Sequence, residues 1–304
     1  MVAVNTDYVK TKNDINHTKN MLETISKIGF THVHWVHQWD GTDLYSVSEM
    51  KQIKGWLKEL NLKVKGIHAS DGTITGTFDE RKIFVSPDEL SREAGVELVK
   101  NRIDLASFLE AGEIVLHVKM LHLIQPDIGY GSYGDTYWKQ LFKSLDSIVK
   151  YGQEKKIKIA IENLEFPRLE VQFDQFDRLF QRYSIDELSF CFDLGHNMIL
   201  SKDRPLAFLE RYNERLTNLH LNCGVFNRST ETEYKHFLKC DTHSVPNKDL
   251  IDFESLSKLI AESPYKLPVT FEVSIPGNIK KGLSQTLKIG NEIETLIKKY
   301  RDLK

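Results

Sequence analysis

Short apolar runs alternate with amphipathic stretches along the whole chain. The apolar runs have the length and composition of buried strands, whereas the stretches between them repeat apolar positions at helical spacing. One such stretch carries Ile15, Thr18, Met21, Leu22, Ile25 and Ile28. The eight strand candidates are VAVNTDY, THVHWVH, LKVKGIHA, EIVLHVKM, IKIAIENL, LSFCFDL, LTNLHLN and PVTFEVSI. This alternation predicts an α/β fold, a single (β/α)8 TIM barrel, with an open doubly wound sheet as the alternative.

The connections between these elements favour the barrel and give it a direction. Segments that lead from helix to strand are short, such as GF, NL, AGE and EKK. Long segments lead from strand to helix: SDGTITGTFDERKIFVSP after the third strand, LHLIQPDIGYGSYGDTYW after the fourth, and residues 222–249 after the seventh. In a TIM barrel such loops lie at the C-terminal face, where active sites are built. No linker rich in Pro, Gly or Ser divides the chain, so residues 1–304 are predicted to form one domain.

Two helix starts carry capping signals. In SPDEL, Ser86 is the predicted N-cap, with Pro87 in the first turn and Glu89 placed for a capping box. In DFESLSKLI, Asp252 is the predicted N-cap. A last helix, LSQTLKIGNEIETLIKKY, is predicted to follow the eighth strand.

Composition narrows the classes of function. Hydrophobic residues make up 40% and charged residues 28% of the 304 positions, as in an ordinary soluble globular protein. The formal net charge of −2 gives no global basic surface, which argues against nucleic acid as a partner. Cys191, Cys223 and Cys240 form no CxxC pair, so no disulfide framework is expected. The N-terminus lacks a signal-peptide pattern and no apolar run approaches the roughly 20 residues of a membrane span, so we expect a cytoplasmic protein without a membrane partner.

Residue types that bind metals recur where the predicted strands end. A TIM barrel interior is filled mostly by apolar side chains, so carboxylates and imidazoles gathered there are costly unless they are paired or bind a cation. A divalent cation would compensate the carboxylates and take neutral imidazoles as ligands. The sequence therefore predicts a metal site at the barrel mouth. Its candidate residues are His68, His117, Glu162, Asp193, His196, His220 and Glu272 at the strand ends, with Asp241 and His243 in the loop after the seventh strand.

The segment FDLGH, residues 192–196, is one place where metal-binding residue types follow the end of a predicted strand. An apolar strand ends in Asp193, and His196 follows three positions later. Taken alone, the segment is more typical of a turn than of a site. As part of the larger set, Asp193 and His196 are predicted to belong to a ring of ligands, and Gly195 is expected to give the backbone room to turn.

These motifs resemble the xylose isomerase-like barrels, a superfamily of sugar isomerases and epimerases that also contains the apurinic endonucleases. The resemblance covers nearly the whole chain and rests on the order and spacing of IEN, FDLGH, HLN, PNKDLIDF and FEV. It implies a divalent metal ion, Mn²⁺, Zn²⁺, Mg²⁺ or Co²⁺, held by Glu162, Asp193, His220 and Glu272.

The resemblance also implies a mechanism for the isomerase and epimerase branches. The metal would chelate a carbonyl and an adjacent hydroxyl of an open-chain sugar and stabilise the enediolate formed when the α-proton leaves. Glu162 and Glu272 would flank the substrate as the catalytic pair, one removing a proton and the other returning it. His196 would hydrogen-bond a substrate oxygen.

Two departures keep other functions open. The chain has PNKD where the sugar enzymes often have PGEG, so the resemblance does not extend to the substrate contacts made by that turn. Its DTH, with Asp241 and His243, resembles the DRH of the endonucleases. Together with His68, His117 and His196, these residues extend the implied metals from one to as many as three.

A metal-dependent isomerase or epimerase of a sugar, sugar phosphate or polyol derivative is the leading hypothesis. The alternatives are an apurinic endonuclease-like phosphodiesterase with three metals, a metal-dependent lyase or dehydratase, and a barrel that only binds. The net charge disfavours the phosphodiesterase, because binding a phosphate backbone needs a cationic surface. The intact pair of carboxylates disfavours the pure binding module. Whether the chain forms a homo-oligomer is left open by the sequence.

Further contacts to a small carbohydrate substrate are predicted at the barrel mouth. The substrate-binding candidates are His68, His196, Trp35 and Arg228. Trp35 and Trp39 are suited to pack on a sugar, or else in the barrel core and against a helix. Arg228 belongs to a set of cationic loop residues that either form a solvated surface or grip a phosphate. GYGSYGDTYW is predicted to form either a lid or a rigid loop, and Cys223 to pack rather than react.

Overall fold

Eight parallel strands form the centre of the molecule in a computed structural model that describes residues 1–9, 15–36, 44–70, 72, 82–118, 135–226 and 234–303. The strands are β1 Val2–Asn5, β2 His32–Trp35, β3 Lys63–His68, β4 Glu113–Leu116, β5 Lys158–Glu162, β6 Ser189–Asp193, β7 Leu216–His220 and β8 Val269–Phe271. All eight coincide with the apolar runs of the sequence. The predicted strands are therefore confirmed.

The sheet closes into a barrel. Its strand order is β7-β6-β5-β4-β3-β2-β1-β8, and neighbouring strands in this order pair in parallel. Strands β7 and β8 are joined by a parallel bridge between Leu221 and Phe271, with the Leu221 amide donating to the Thr270 carbonyl at 3.0 Å. The TIM barrel is thus confirmed and the open doubly wound sheet is wrong.

Helices lie between the strands in sequence. In the described part of the chain they are α1 Ile15–Ile28, α2 Val47–Glu59, α3 Glu89–Phe108, α4 Asp135–Lys155, α5 Leu169–Arg182, α6 Leu194–Leu200, α7 Ala207–Tyr212, α8 Tyr234–Cys240, α9 Phe253–Glu262 and α10 Ile279–Asp302. Asp252 caps α9 as predicted, accepting from the Glu254 amide at 3.0 Å. None of the described helices is long and apolar enough to cross a membrane.

The predicted N-cap at Ser86 is wrong. Helix α3 begins two residues later than expected, with Asp88 as its N-cap, and the Asp88 carboxylate accepts from the Ser91 amide at 2.8 Å. The Ser86 hydroxyl instead accepts from the Asp88 amide at 3.2 Å and shapes the turn that leads into the helix. Asp and Ser are both good N-caps, so composition alone did not separate two start sites so close together.

Inside the barrel, a small layer of apolar side chains lies below the metal-binding candidates at the strand ends. Val115, Ala160 and Cys191, on β4, β5 and β6, form a small buried cluster of their own. Each precedes His117, Glu162 or Asp193 by two positions, so each lies on the same face of its strand as that residue. The outward-facing apolar side chains pack against the helices in the main core, which includes Trp35.

Candidate metal centre

Four of the predicted ligands meet at the C-terminal ends of neighbouring strands. Glu162, Asp193 and His220 are the last residues of β5, β6 and β7, and Glu272 directly follows β8. All four are buried, and one ligand atom from each lies within 4.8 Å of the others. We call these four residues the central group.

The contacts of His220 indicate that the central group faces a common point. Its Nδ1 lies 2.8 Å from Glu272 Oε2 and 3.0 Å from Glu162 Oε1. Within the described residues, neither His220 Nδ1 nor Glu162 Oε1 has a hydrogen-bond partner, although both atoms are buried. Adjacent ligands of a cation at about 2.1 Å lie about 3 Å apart. The spacing and the unpartnered atoms therefore fit a divalent cation.

A second group shares Glu162 with the central group. His68, His117 and Glu162 offer ligand atoms within 4.8 Å of one another. His117 Nε2 lies 3.1 Å from Glu162 Oε2 and 3.1 Å from His68 Nε2. Oε1 faces the central group and Oε2 faces the two histidines, so the Glu162 carboxylate belongs to both groups.

A third group consists of His196, Asp241 and His243. Asp241 Oδ2 lies 3.0 Å from His243 Nε2, and Asp241 Oδ1 lies 3.7 Å from His196 Nε2. Oδ1 is buried and has no hydrogen-bond partner among the described residues. His243 has a φ of 45°, a left-handed conformation that is uncommon for residues other than Gly, although His adopts it more often than most. Its backbone is held through its carbonyl, which accepts from the Ser274 amide at 2.7 Å.

Asparagine side chains hold Asp193 in place. The Asn163 amide group bonds both main-chain groups of Asp193, at 2.8 and 2.9 Å. Asn222 Nδ2 donates to Asp193 Oδ2 at 2.7 Å, while Oδ1 accepts from the His196 amide at 2.7 Å and caps α6. The Asp193 carboxylate therefore belongs to the central group and also caps the start of α6.

Gly195 is required for close packing rather than for a turn. It lies inside α6 and does not have a positive φ. A Cβ at this position would lie 1.7 Å from Asn222 Oδ1, so any side chain would displace the asparagine that bonds Asp193. The expectation that Gly195 supplies a flexible turn is corrected accordingly.

Opposing electrostatic effects set the protonation of the central group in the metal-free protein. Burial lowers the pKa of His220, but Cys191, Glu162 and Glu272 outweigh it and hold that pKa well above its usual value. Burial likewise raises the pKa of Glu162, but the nearby His220 and His117 hold it well below its usual range. Burial raises the pKa of Asp193 to about 6. Protons on the imidazoles thus balance carboxylate charge where a cation would otherwise do so.

Metal uptake is expected to release protons, so the apparent affinity should rise with pH. Burial lowers the pKa of His243, but Asp241 and Glu272 raise it to about 9, and the pKa of His220 is also raised. An imidazole ligand must be neutral. Below these pKa values each displaced proton lowers apparent affinity about tenfold per pH unit. Zn²⁺ titration of metal-free protein in a weak buffer with a pH indicator measures the release, and an affinity unchanged between about pH 6 and pH 8 would contradict it.

The structure brings together all nine predicted ligands. The remaining substrate-binding candidates, Trp35 and Arg228, are not placed at this cluster by the described residues. Trp35 is fully buried, with its indole N–H donating to the Tyr45 hydroxyl at 3.0 Å. This supports the core alternative, and we remove Trp35 from the substrate-binding set. Arg228, Trp39 and most of the predicted lid lie outside the described residues. Cys223 is buried, as expected of a packing residue.

Sequence reasoning missed the neutral partners of the ligands. Asn163 and Asn222 stand inside the IEN and HLN motifs, but the pattern of metal-binding residue types singles out only acids and histidines. His34 was also missed, although it lies on the inward face of β2 and its Nε2 is 3.1 Å from His220 Nε2. Burial, followed by the neighbouring His220, lowers the pKa of His34 well below its usual value. The alternation of inward and outward positions in THVHWVH could have indicated that His34 faces the barrel interior.

Known proteins are similar in sequence to parts of this chain or to most of it. The uncharacterized protein y4fM of Sinorhizobium fredii is 30% identical over 269 residues, covering 84% of this chain and 80% of that protein. An inosose dehydratase of Lacticaseibacillus casei is 27% identical over 139 residues, 44% of this chain and 46% of the dehydratase. The latter match thus spans about half of each protein.

Solved structures extend the likeness over nearly the full chain. A D-tagatose 3-epimerase-like protein superposes with a TM-score of 0.71 at 17% identity, covering 98% of both chains. The 3-keto-D-glucoside 4-epimerase YcjR of E. coli superposes with a TM-score of 0.68 at 13% identity, covering 96% of this chain and 98% of that one. At these identities the superpositions support the fold.

A sequence model described as xylose isomerase-like TIM barrel matches residues 22–295, which include all nine predicted ligands. This match spans most of the chain and agrees with the closed barrel. The chain therefore belongs to the xylose isomerase-like TIM barrel family.

Proposed function

We propose that the protein is a metal-dependent isomerase or epimerase of a sugar, sugar phosphate or polyol derivative. The observation that carries this proposal is the convergence of Glu162 and Glu272 on one nitrogen of His220, at 3.0 and 2.8 Å. Two carboxylates beside one cation are suited to remove and return a proton at a carbon next to a carbonyl. The names of several structural neighbours, which are sugar epimerases, support the same class.

The central group would hold the cation, and the second and third groups could hold further ones. When bound, the metal would polarise the substrate carbonyl and so raise the acidity of the adjacent C–H. Glu162 ends β5, two strands from β7 on one side, and Glu272 follows β8, which neighbours β7 on the other side. Each can hold one proton on a carboxylate oxygen. Their burial limits the access of bulk water to the reacting carbon, so the proton moves through the carboxylates rather than directly to solvent.

His196 and His68 keep their proposed roles in substrate binding or metal binding. His196 Nδ1 contacts the Asn163 carbonyl at 2.9 Å, so its Nε2 is the nitrogen that faces Asp241 and Glu165, each at 3.7 Å. That nitrogen would either hydrogen-bond a substrate oxygen or ligate a cation in the third group. The cytoplasmic location stays a prediction, and the oligomeric state stays open.

Solvent-deuterium incorporation tests the proposed class directly. Metal-free protein would be reloaded separately with Mn²⁺, Co²⁺, Mg²⁺ or Zn²⁺ and incubated in D₂O with a panel of ketoses, ketose phosphates and polyol ketones. We expect metal-dependent deuterium at the carbon next to the carbonyl of at least one compound, read by NMR. No exchange with any compound and metal would reject the proposal for these substrate classes.

A lyase or dehydratase is the second candidate, favoured by the inosose dehydratase relatives. The same proton abstraction would begin that reaction, but a hydroxyl would then leave as water. The panel separates the two outcomes, because an epimerase or isomerase returns compounds of unchanged mass apart from deuterium. A product lighter by one water would identify the dehydratase.

Cleavage of abasic DNA is expected to be negligible at physiological salt. The three metal groups match the ligand types of a phosphodiesterase, but the formal net charge of −2 gives no general basic surface to bind a DNA backbone. Incision of a duplex with one abasic site, measured on a denaturing gel with Zn²⁺- and Mn²⁺-loaded protein, checks this. Robust incision that His117→Ala and His243→Ala abolish would replace the isomerase proposal with the endonuclease one.

A further inference from the structure

The His220 ring contacts polar groups through both of its nitrogens. Nδ1 faces the carboxylates of Glu162 and Glu272, as described above. Nε2 lies 3.1 Å from Nε2 of His34, and the two rings meet edge to face with centroids 4.5 Å apart. Both residues have no exposed surface. Two buried ring nitrogens at this distance make a hydrogen bond only if one of them carries the hydrogen and the other a lone pair.

A cation in the central group decides which nitrogen donates. The nitrogen that binds a cation must offer its lone pair, so a ligating His220 keeps its hydrogen on Nε2. Nε2 of His220 therefore donates, and Nε2 of His34 accepts. This assignment follows from the geometry of the two rings, whichever divalent cation is bound.

We propose that His34 is a positioning residue for the metal ligand His220. It accepts the hydrogen bond from Nε2–H of His220 and thereby holds the ring with the Nδ1 lone pair aimed between Glu162 and Glu272. The inference rests on the proposed metal centre and goes beyond it, because His34 would act on the cation without touching it. Partners of this kind fix the tautomer and orientation of a metal ligand, and their loss typically weakens metal binding about 10- to 100-fold. We expect an effect of about that size when His34 is replaced.

The neighbouring strand makes room for the His34 ring. His34 is paired with Gly66 on β3, at a point where the register of the two strands shifts between Val33 and His34. A Cβ at Gly66 would lie 3.4 Å from His34 Nδ1 and 2.8 Å from Asn218 Nδ2. A side chain at this position would crowd the ring inside the barrel. Gly66 and the register shift together account for the close approach of His34 to His220.

The competing explanation is that the two rings only pack together. Variants of His34 separate the two explanations, because packing depends on size whereas positioning depends on an acceptor at the place of Nε2. His34→Leu keeps similar bulk and removes the acceptor. His34→Gln can place its amide oxygen near the position of Nε2, whereas the shorter His34→Asn cannot reach it. His32→Ala, at the start of the same strand and half-buried, is the matched control.

The experiment measures Co²⁺ binding to metal-free protein by competition with a chelator, together with the visible absorption bands of the bound ion. We expect His34→Leu and His34→Asn to weaken Co²⁺ binding by about 10- to 100-fold and to change the bands. His34→Gln should recover most of the affinity, and His32→Ala should match the wild type. Thermal unfolding of each metal-free variant shows whether it is folded, and His34→Asn replaces His34→Leu if the latter does not fold.

Wild-type affinity and spectrum in folded His34→Leu or His34→Asn would overturn the proposal. So would equal weakening in all three His34 variants, since a packing role predicts loss without rescue by Gln. His220→Ala distinguishes these results from failure of the metal centre itself. If His220→Ala binds Co²⁺ as tightly as the wild type, the cation does not bind in the central group, and the proposed function fails with it.

Discussion

Replacing Glu162 or Glu272 with Gln is expected to slow exchange of the substrate α-proton with solvent by at least about 10²- to 10⁴-fold. That range is the usual contribution of one general acid–base group, and the loss of a ligand charge adds to it. Each carboxylate lies within 3.0 Å of His220 Nδ1, so each Gln would remove a proton acceptor and a negative charge from the same small volume. Deuterium incorporation into the substrate found in the panel, measured at saturating metal, gives the rate.

Glu294→Gln is the matched control for these variants. Glu294 is also a buried glutamate, but it lies on α10 and pairs with Lys298 and the N-terminal amine, outside the three metal groups. Its exchange rate should stay near that of the wild type. A Glu162→Gln or Glu272→Gln variant that binds metal and exchanges at the wild-type rate would show that the carboxylate takes no part in proton transfer.

Replacing Asp193 or His220 with Ala is expected to remove bound metal from the central group. Loss of a partner that only supports a ligand costs about 10- to 100-fold in affinity, so the loss of a ligand itself should cost more than about 100-fold. Asp193→Ala also releases Asn222 and the start of α6, which the same carboxylate bonds. Elemental analysis after gentle dialysis, combined with chelator competition, measures the change.

Asp252→Ala separates the metal effect of Asp193→Ala from its effect on a helix. Asp252 is likewise a helix N-cap, on α9, and belongs to none of the metal groups. Both variants should lose cap stabilisation of about 0.5–2 kcal/mol. Only Asp193→Ala should lose metal. Unchanged metal content in both Asp193→Ala and His220→Ala would remove the central group as the binding site.

The barrel and the cluster of acidic and histidine residues at its mouth could be predicted from local patterns. Apolar runs broken by helical periodicity mark the strands, and the contrast between short and long connections marks the C-terminal face. Because parallel strands bring their ends to the same face, a polar residue at the end of one run is expected near polar residues at the ends of others. Glu162, Asp193 and His220 needed no more information than this to be chosen as candidates.

Contacts between strands were decided only by the tertiary structure. Register shifts between Val33 and His34 and between Phe190 and Cys191 change which residues stand side by side, and nothing in the alternation of a single strand reveals them. The pairing of His34 with His220 spans 186 positions and depends on barrel closure and on the missing side chain of Gly66. Periodicity therefore determined which face of each strand a residue occupies, whereas closure and register decided which residues meet, because distances across the barrel depend on all eight strands at once.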